Sequence, residues 1–131
     1  MRILNRNLTL VVDTATDTVN CVAGCTVELN AFETASLLVP GTPGFRLRCV
    51  LLGCDQSPNP DDTIFTYPRT KNFTNITEIL NVNQVFEADV SPDVLNEDTN
   101  GADEIRAQFT LINRSNGQSV VKRSNRVVMD F

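Results

Sequence analysis

Apolar and polar residues alternate with a period of two along most of this chain, the period that gives an extended strand one buried and one wet side. Leu8, Leu10 and Val12 share one side of a segment whose other side is Asn7, Thr9 and Val11. Cys25, Val27 and Leu29 alternate with Thr26, Glu28 and Asn30, and Glu33 to Val39 reads as a further strand. Pro40-Gly41-Thr42-Pro43-Gly44 then enforces a loop. Phe45, Leu47, Cys49 and Leu51 lie opposite Arg46 and Arg48, so the polar side of that strand meets water at one end. A polar loop from Gly53 to Asp62 holds two prolines, Ile64 to Tyr67 is a short strand, and Phe86, Ala88 and Val90 alternate with Val85, Glu87 and Asp89 up to Ser91-Pro92. Between these, Ile76, Ile79 and Leu80 have helical spacing among poor helix formers, which predicts at most one short helix near 74–82.

The clearest stretch is the last. Ile105, Ala107, Phe109 and Leu111 form one side and Glu104, Arg106, Gln108 and Thr110 the other, running into Ser115-Asn116-Gly117. A hairpin over 103–131 follows. A two-residue turn sets Leu111 against Lys122, whereas a three-residue loop sets Leu111 against Val121 and Ile105 against Val127. The second register gathers apolar residues on one side and puts Gly117 at the left-handed position that glycine fills without strain. About eight to ten short strands separated by turn signals predict an all-β antiparallel sandwich, jelly-roll or immunoglobulin-like, with a strand or arm at 1–12.

Length and composition narrow this further. With 131 residues the chain is one domain, 1–131, large enough to bury a core without staples. Asn and Thr each occur fourteen times, which suits turns and exposed strand faces better than helix interiors. A net charge of -5 with two lysines argues against a phosphate-binding role, so no nucleic-acid partner is expected. No apolar run is long enough for a membrane span, and hydrophobicity at the N-terminus breaks too soon for a signal peptide.

Four features carry candidate chemistry. The cysteines, Cys21, Cys25, Cys49 and Cys54, are candidates for disulfides, while their Cys-x3-Cys and Cys-x4-Cys spacings depart from zinc knuckles. Acidic residues crowd two loops, where Asp55, Asp61, Asp62, Asp93, Glu97, Asp98 and Asp103 are candidate calcium ligands without matching an EF-hand. A basic counterpart follows: between Ile105 and Met129 there is no acid, yet Arg106, Arg114, Lys122, Arg123 and Arg126 all fall there. Asn-x-Ser/Thr triplets at Asn7, Asn72, Asn75 and Asn113 are in keeping with the Asn- and Thr-rich composition. There is no histidine, and neither a dinucleotide fingerprint nor a P-loop is present.

The expectation is therefore a non-enzymatic structural subunit. It assembles with copies of itself into a filament, surface appendage or virion shell through terminal strands and complementary charge. Leu8, Leu10, Val12, Arg114, Lys122, Arg123 and Arg126 are the expected assembly residues, with no cofactor and no small-molecule substrate. The alternative is a calcium-dependent binding module, C2-like or lectin-like, built on the acidic loops. A small hydrolase using paired carboxylates is a third, weaker class.

Overall fold

The computed structural model describes residues 1–54, 61–74, 82–96 and 103–130. Among these, two antiparallel sheets pack face to face. The first holds β1 (Arg2–Asp13), β2 (Thr18–Glu28) and β6 (Val82–Val90) in the order β1-β2-β6. The second is built on β3 (Phe45–Gly53) and β7 (Asp103–Asn113), which pair with each other. Two short strands, β4 (Asp62–Thr66) and β5 (Lys71–Phe73), flank β3, and β8 (Ser119–Arg123) and β9 (Val127–Met129) flank β7.

Alternation drives this arrangement. Val19, Cys21, Ala23, Cys25 and Val27 of β2 face Phe45, Leu47, Cys49 and Leu51 of β3 and Ile105, Ala107, Phe109 and Leu111 of β7 in one core, all nearly inaccessible to water. Tyr67 ties the layers together. Its hydroxyl donates to the Cys21 carbonyl at 3.0 Å, and its ring meets Phe65 edge-on at 5.2 Å and Phe86 at 5.6 Å. With β1, β2 and β6 in one layer and β3, β7 and their flanking strands in the other, the strand order is that of an immunoglobulin-like sandwich rather than a jelly roll.

Two local expectations are corrected. Glu33 to Val39 is not a strand: α1 (Ala31–Ser36) begins there, followed by turns. The cause is a capping box, in which the Asn30 side chain accepts from Glu33 N–H at 2.7 Å while Glu33 accepts from Asn30 N–H at 3.0 Å. A second helix, α2 (Pro92–Leu95), starts at the proline that ends β6. The helix expected near 74–82 falls mostly outside the described residues; Thr74 is irregular and Val82 already belongs to β6.

The hairpin has a four-residue loop, 114–117, closed by Asn113 N–H to Gln118 O and Gly117 N–H to Asn113 O, both 2.8 Å. Leu111 consequently pairs with Val120, not Val121, whereas Ile105 does pair with Val127. The one-residue difference is absorbed at Ser124, whose N–H donates to Ala107 O while its hydroxyl accepts from Ala107 N–H, both 2.9 Å. Gly117 has φ +77, the left-handed value expected of it.

Candidate functional site

Strand alternation makes each sheet present an outer face as well as a core face, and the two outer faces differ in charge. On the first sheet, Asp13 of β1 and Glu87 and Asp89 of β6 point outward, opposite Thr18, Val22 and Asn20 of β2 respectively. The Asn20 amide donates to both Glu87 and Asp89 at 3.0 Å, holding two carboxylates side by side. The cations of this sheet, Arg2 and Arg6, stand at its other end; Arg2 pairs with Glu28 at 3.4 Å.

The second sheet is the reverse. Arg46 and Arg48 of β3, Arg106 of β7 and Arg123 of β8 alternate with core residues and so share its outer face. Arg46 donates to the side-chain amide oxygen of Asn72 at 3.1 Å and Arg123 to that of Gln108 at 3.0 Å. Among the described residues, Arg46, Arg48 and Arg123 have no carboxylate partner. Arg106 is paired with Asp61, and Arg126 with Glu104 at 3.3 Å, both at one end of the sheet.

The expected assembly residues are thus dispersed. Leu8 is in the core, Leu10 packs against it, and Val12 points the same way but is 47% exposed. The segment 1–12 is a strand of the chain's own sheet, and its outer edge is partly closed. Asn125 accepts from Leu8 N–H at 3.0 Å and donates to Leu8 O at 3.3 Å. Arg114 sits in the hairpin loop with its N–H on Gly44 O, Lys122 is exposed opposite Phe109, and Arg126 is bound to Glu104. Only Arg123 lies on the arginine face. Arg46 and Arg48 were visible as outward residues, but nothing in the sequence says that β3 lies beside the hairpin of β7 and β8.

The disulfide expectation is also corrected, since all four cysteines are free and buried. Cys21 and Cys25 point to the core from one strand four residues apart, about 13 Å along it, whereas a disulfide needs Cα atoms within about 7 Å. Burial, with Asp89 nearby, raises the Cys21 thiol to about 11. Burial raises Cys25 to about 12, and Cys49 and Cys54 are raised too, so these groups stay protonated and are poor nucleophiles at neutral pH.

Of the candidate calcium ligands, Asp55, Glu97 and Asp98 lie outside the described residues. Asp61 holds Arg106, Asp62 and Asp93 are exposed, and Asp103 is buried. The flanks of the two acidic loops do converge: Gly53 pairs with both Asp62 and Ile105, and Cys54 N–H donates to Glu104 O at 2.8 Å. Among the described residues no three His, Cys, Asp or Glu side chains cluster to hold a metal ion, and no helix is long and apolar enough to cross a membrane.

A cleft lies between the β4–β5 segment and β6. It measures about 260 Å³, with Tyr67, Arg69 and Lys71 on one wall and Val85, Phe86 and Glu87 on the other. The Lys71 ammonium lies 5.4 Å from the Phe86 ring centre. Comparison with protein-family models, with curated proteins and with solved structures finds no match.

Proposed function

We propose that the chain is a non-enzymatic structural subunit that assembles with copies of itself, the acidic outer face of one copy meeting the arginine face of the next. The observation that supports this reading is the opposite charge of two faces on opposite sides of one rigid sandwich. Such faces cannot satisfy each other within a molecule, but they can between molecules, and the contact is heterologous, so it propagates head to tail, as an open filament where the rotation between copies does not close a ring. The buried, protonated thiols and the lack of histidine agree with a non-catalytic role.

The contact is weak. A three-stranded face of this length covers roughly 500 Å², so the pair buries about 1,000 Å² in all, the lower bound for a specific interface. Its strength therefore depends on charge. Sedimentation velocity at 20 mM and at 500 mM salt tests it: large species at low salt that dissolve at high salt support the proposal, and a single monomer boundary at both contradicts it.

The converging flanks of the acidic loops favour a second reading, a calcium-binding module. Under that reading calcium raises the melting temperature and a chelator reverses the rise, whereas salt-sensitive assembly persists in chelator under the first.

A further inference from the structure

The first sheet has two edges, and they are not equivalent. At the β1 edge, Asn125 occupies both the N–H and the carbonyl of Leu8. At the other edge, β6 runs nine residues in unbroken register against β2, from Val90 opposite Val19 to Val82 opposite Val27. Among the described residues no strand pairs its outer side. It carries no proline, no lysine and no bulge, and its only charged residues are Glu87 and Asp89.

We infer that β6 pairs with β6 of a second copy about a twofold axis, joining two three-stranded sheets into one of six. The inference rests on the self-assembly reading above but uses a different surface. Continuation of the sheet from β6 onto a neighbour's β1 would meet Asn125 bound to Leu8 midway along that edge, which favours β6 pairing with itself. The register follows from the sequence. Opposed residues point to the same face, and centring on Phe86 is the one twofold register that pairs all nine residues, Val82 with Val90. It sets Val85 opposite Glu87 and Asn83 opposite Asp89, so no carboxylate faces a carboxylate. Centring on Glu87 would set that residue against itself.

Val85 is 52% exposed on the outer face, so it can be changed without disturbing the core. Val85→Glu puts two like-charge pairs into each dimer, and Val85→Lys puts in two opposite-charge pairs at the same positions. Sedimentation equilibrium at 150 mM salt is expected to show a dimer for the natural chain, at least tenfold weaker dimerisation for Val85→Glu, and an unchanged or tighter dimer for Val85→Lys. Equal behaviour of the two variants overturns the β6 pairing; if salt-sensitive association persists alongside that result, face stacking stands without it. A monomer in every condition overturns both.

Discussion

Tyr67 is the residue on which the two layers depend most individually. Its ring fills the gap between Phe65 and Phe86, and its hydroxyl bonds to the Cys21 carbonyl across the core, with the phenol pushed up by burial and so kept as a donor. Tyr67→Phe keeps the ring and deletes the bond. It is expected to cost about 1 kcal/mol, read as a lower denaturant midpoint with an unchanged slope. The thiols give a second residue-scale outcome. An unfolded thiol ionises near its ordinary value of 9.0, whereas Cys21 holds its proton to about 11 and Cys25 to about 12. The unfolded chain therefore loses protons first, and stability that is complete below pH 9 is lost as pH rises through 11 to 12. Each such thiol contributes a slope of about 1.4 kcal/mol per pH unit in that window. Urea midpoints at pH 8, 9, 10 and 11 check this: a steady fall above 9 is expected, Cys25→Val should make it shallower, and a flat series would contradict it.

At the scale of elements, the closed edge of β1 matters as much as its apolar side. Asn125→Ala removes both bonds to Leu8, which is expected to cost about 1 to 2 kcal/mol and to leave two open edges on one sheet. Sheet continuation then becomes possible, so this variant should form longer, salt-resistant polymers by light scattering where the natural chain does not. Most strands were legible because alternation survives in β3, β6 and β7, each with one side buried against a facing layer. What failed was the reading of Glu33 to Val39, where the apolar residues suited a strand but Asn30 and Glu33, three apart, already formed a helix start. The hairpin register failed by one residue at β8 and not at β9, because Ser124 inserts between them, and a bulge of that kind has no compositional mark. Of the residues on the candidate surface, Arg123 alone was among the expected assembly residues. Arg46 and Arg48 join it only through the order β3-β7-β8, a tertiary fact that no local pattern contains.

At the scale of the molecule, the net charge of -5 conceals the feature that decides behaviour. Under the proposed assembly, Asp13, Glu87 and Asp89 of one copy attract Arg46, Arg48 and Arg123 of the next at contact, against the mean acidic excess that keeps copies apart at long range. The fold separates them because alternation commits every second residue of each sheet to the outside, and the core between the sheets keeps the two sets from neutralising each other. Face stacking and β6 pairing are compatible, since a twofold normal to the sheet leaves both outer faces free. The most direct test is complementation. Arg48→Glu/Arg123→Glu makes the basic face acidic, and Glu87→Lys/Asp89→Lys makes the acidic face basic. Each variant alone should lose the large, salt-sensitive species seen by sedimentation velocity, and an equimolar mixture should regain it, because each supplies the charge the other lacks. A mixture no larger than its separate components would contradict the account.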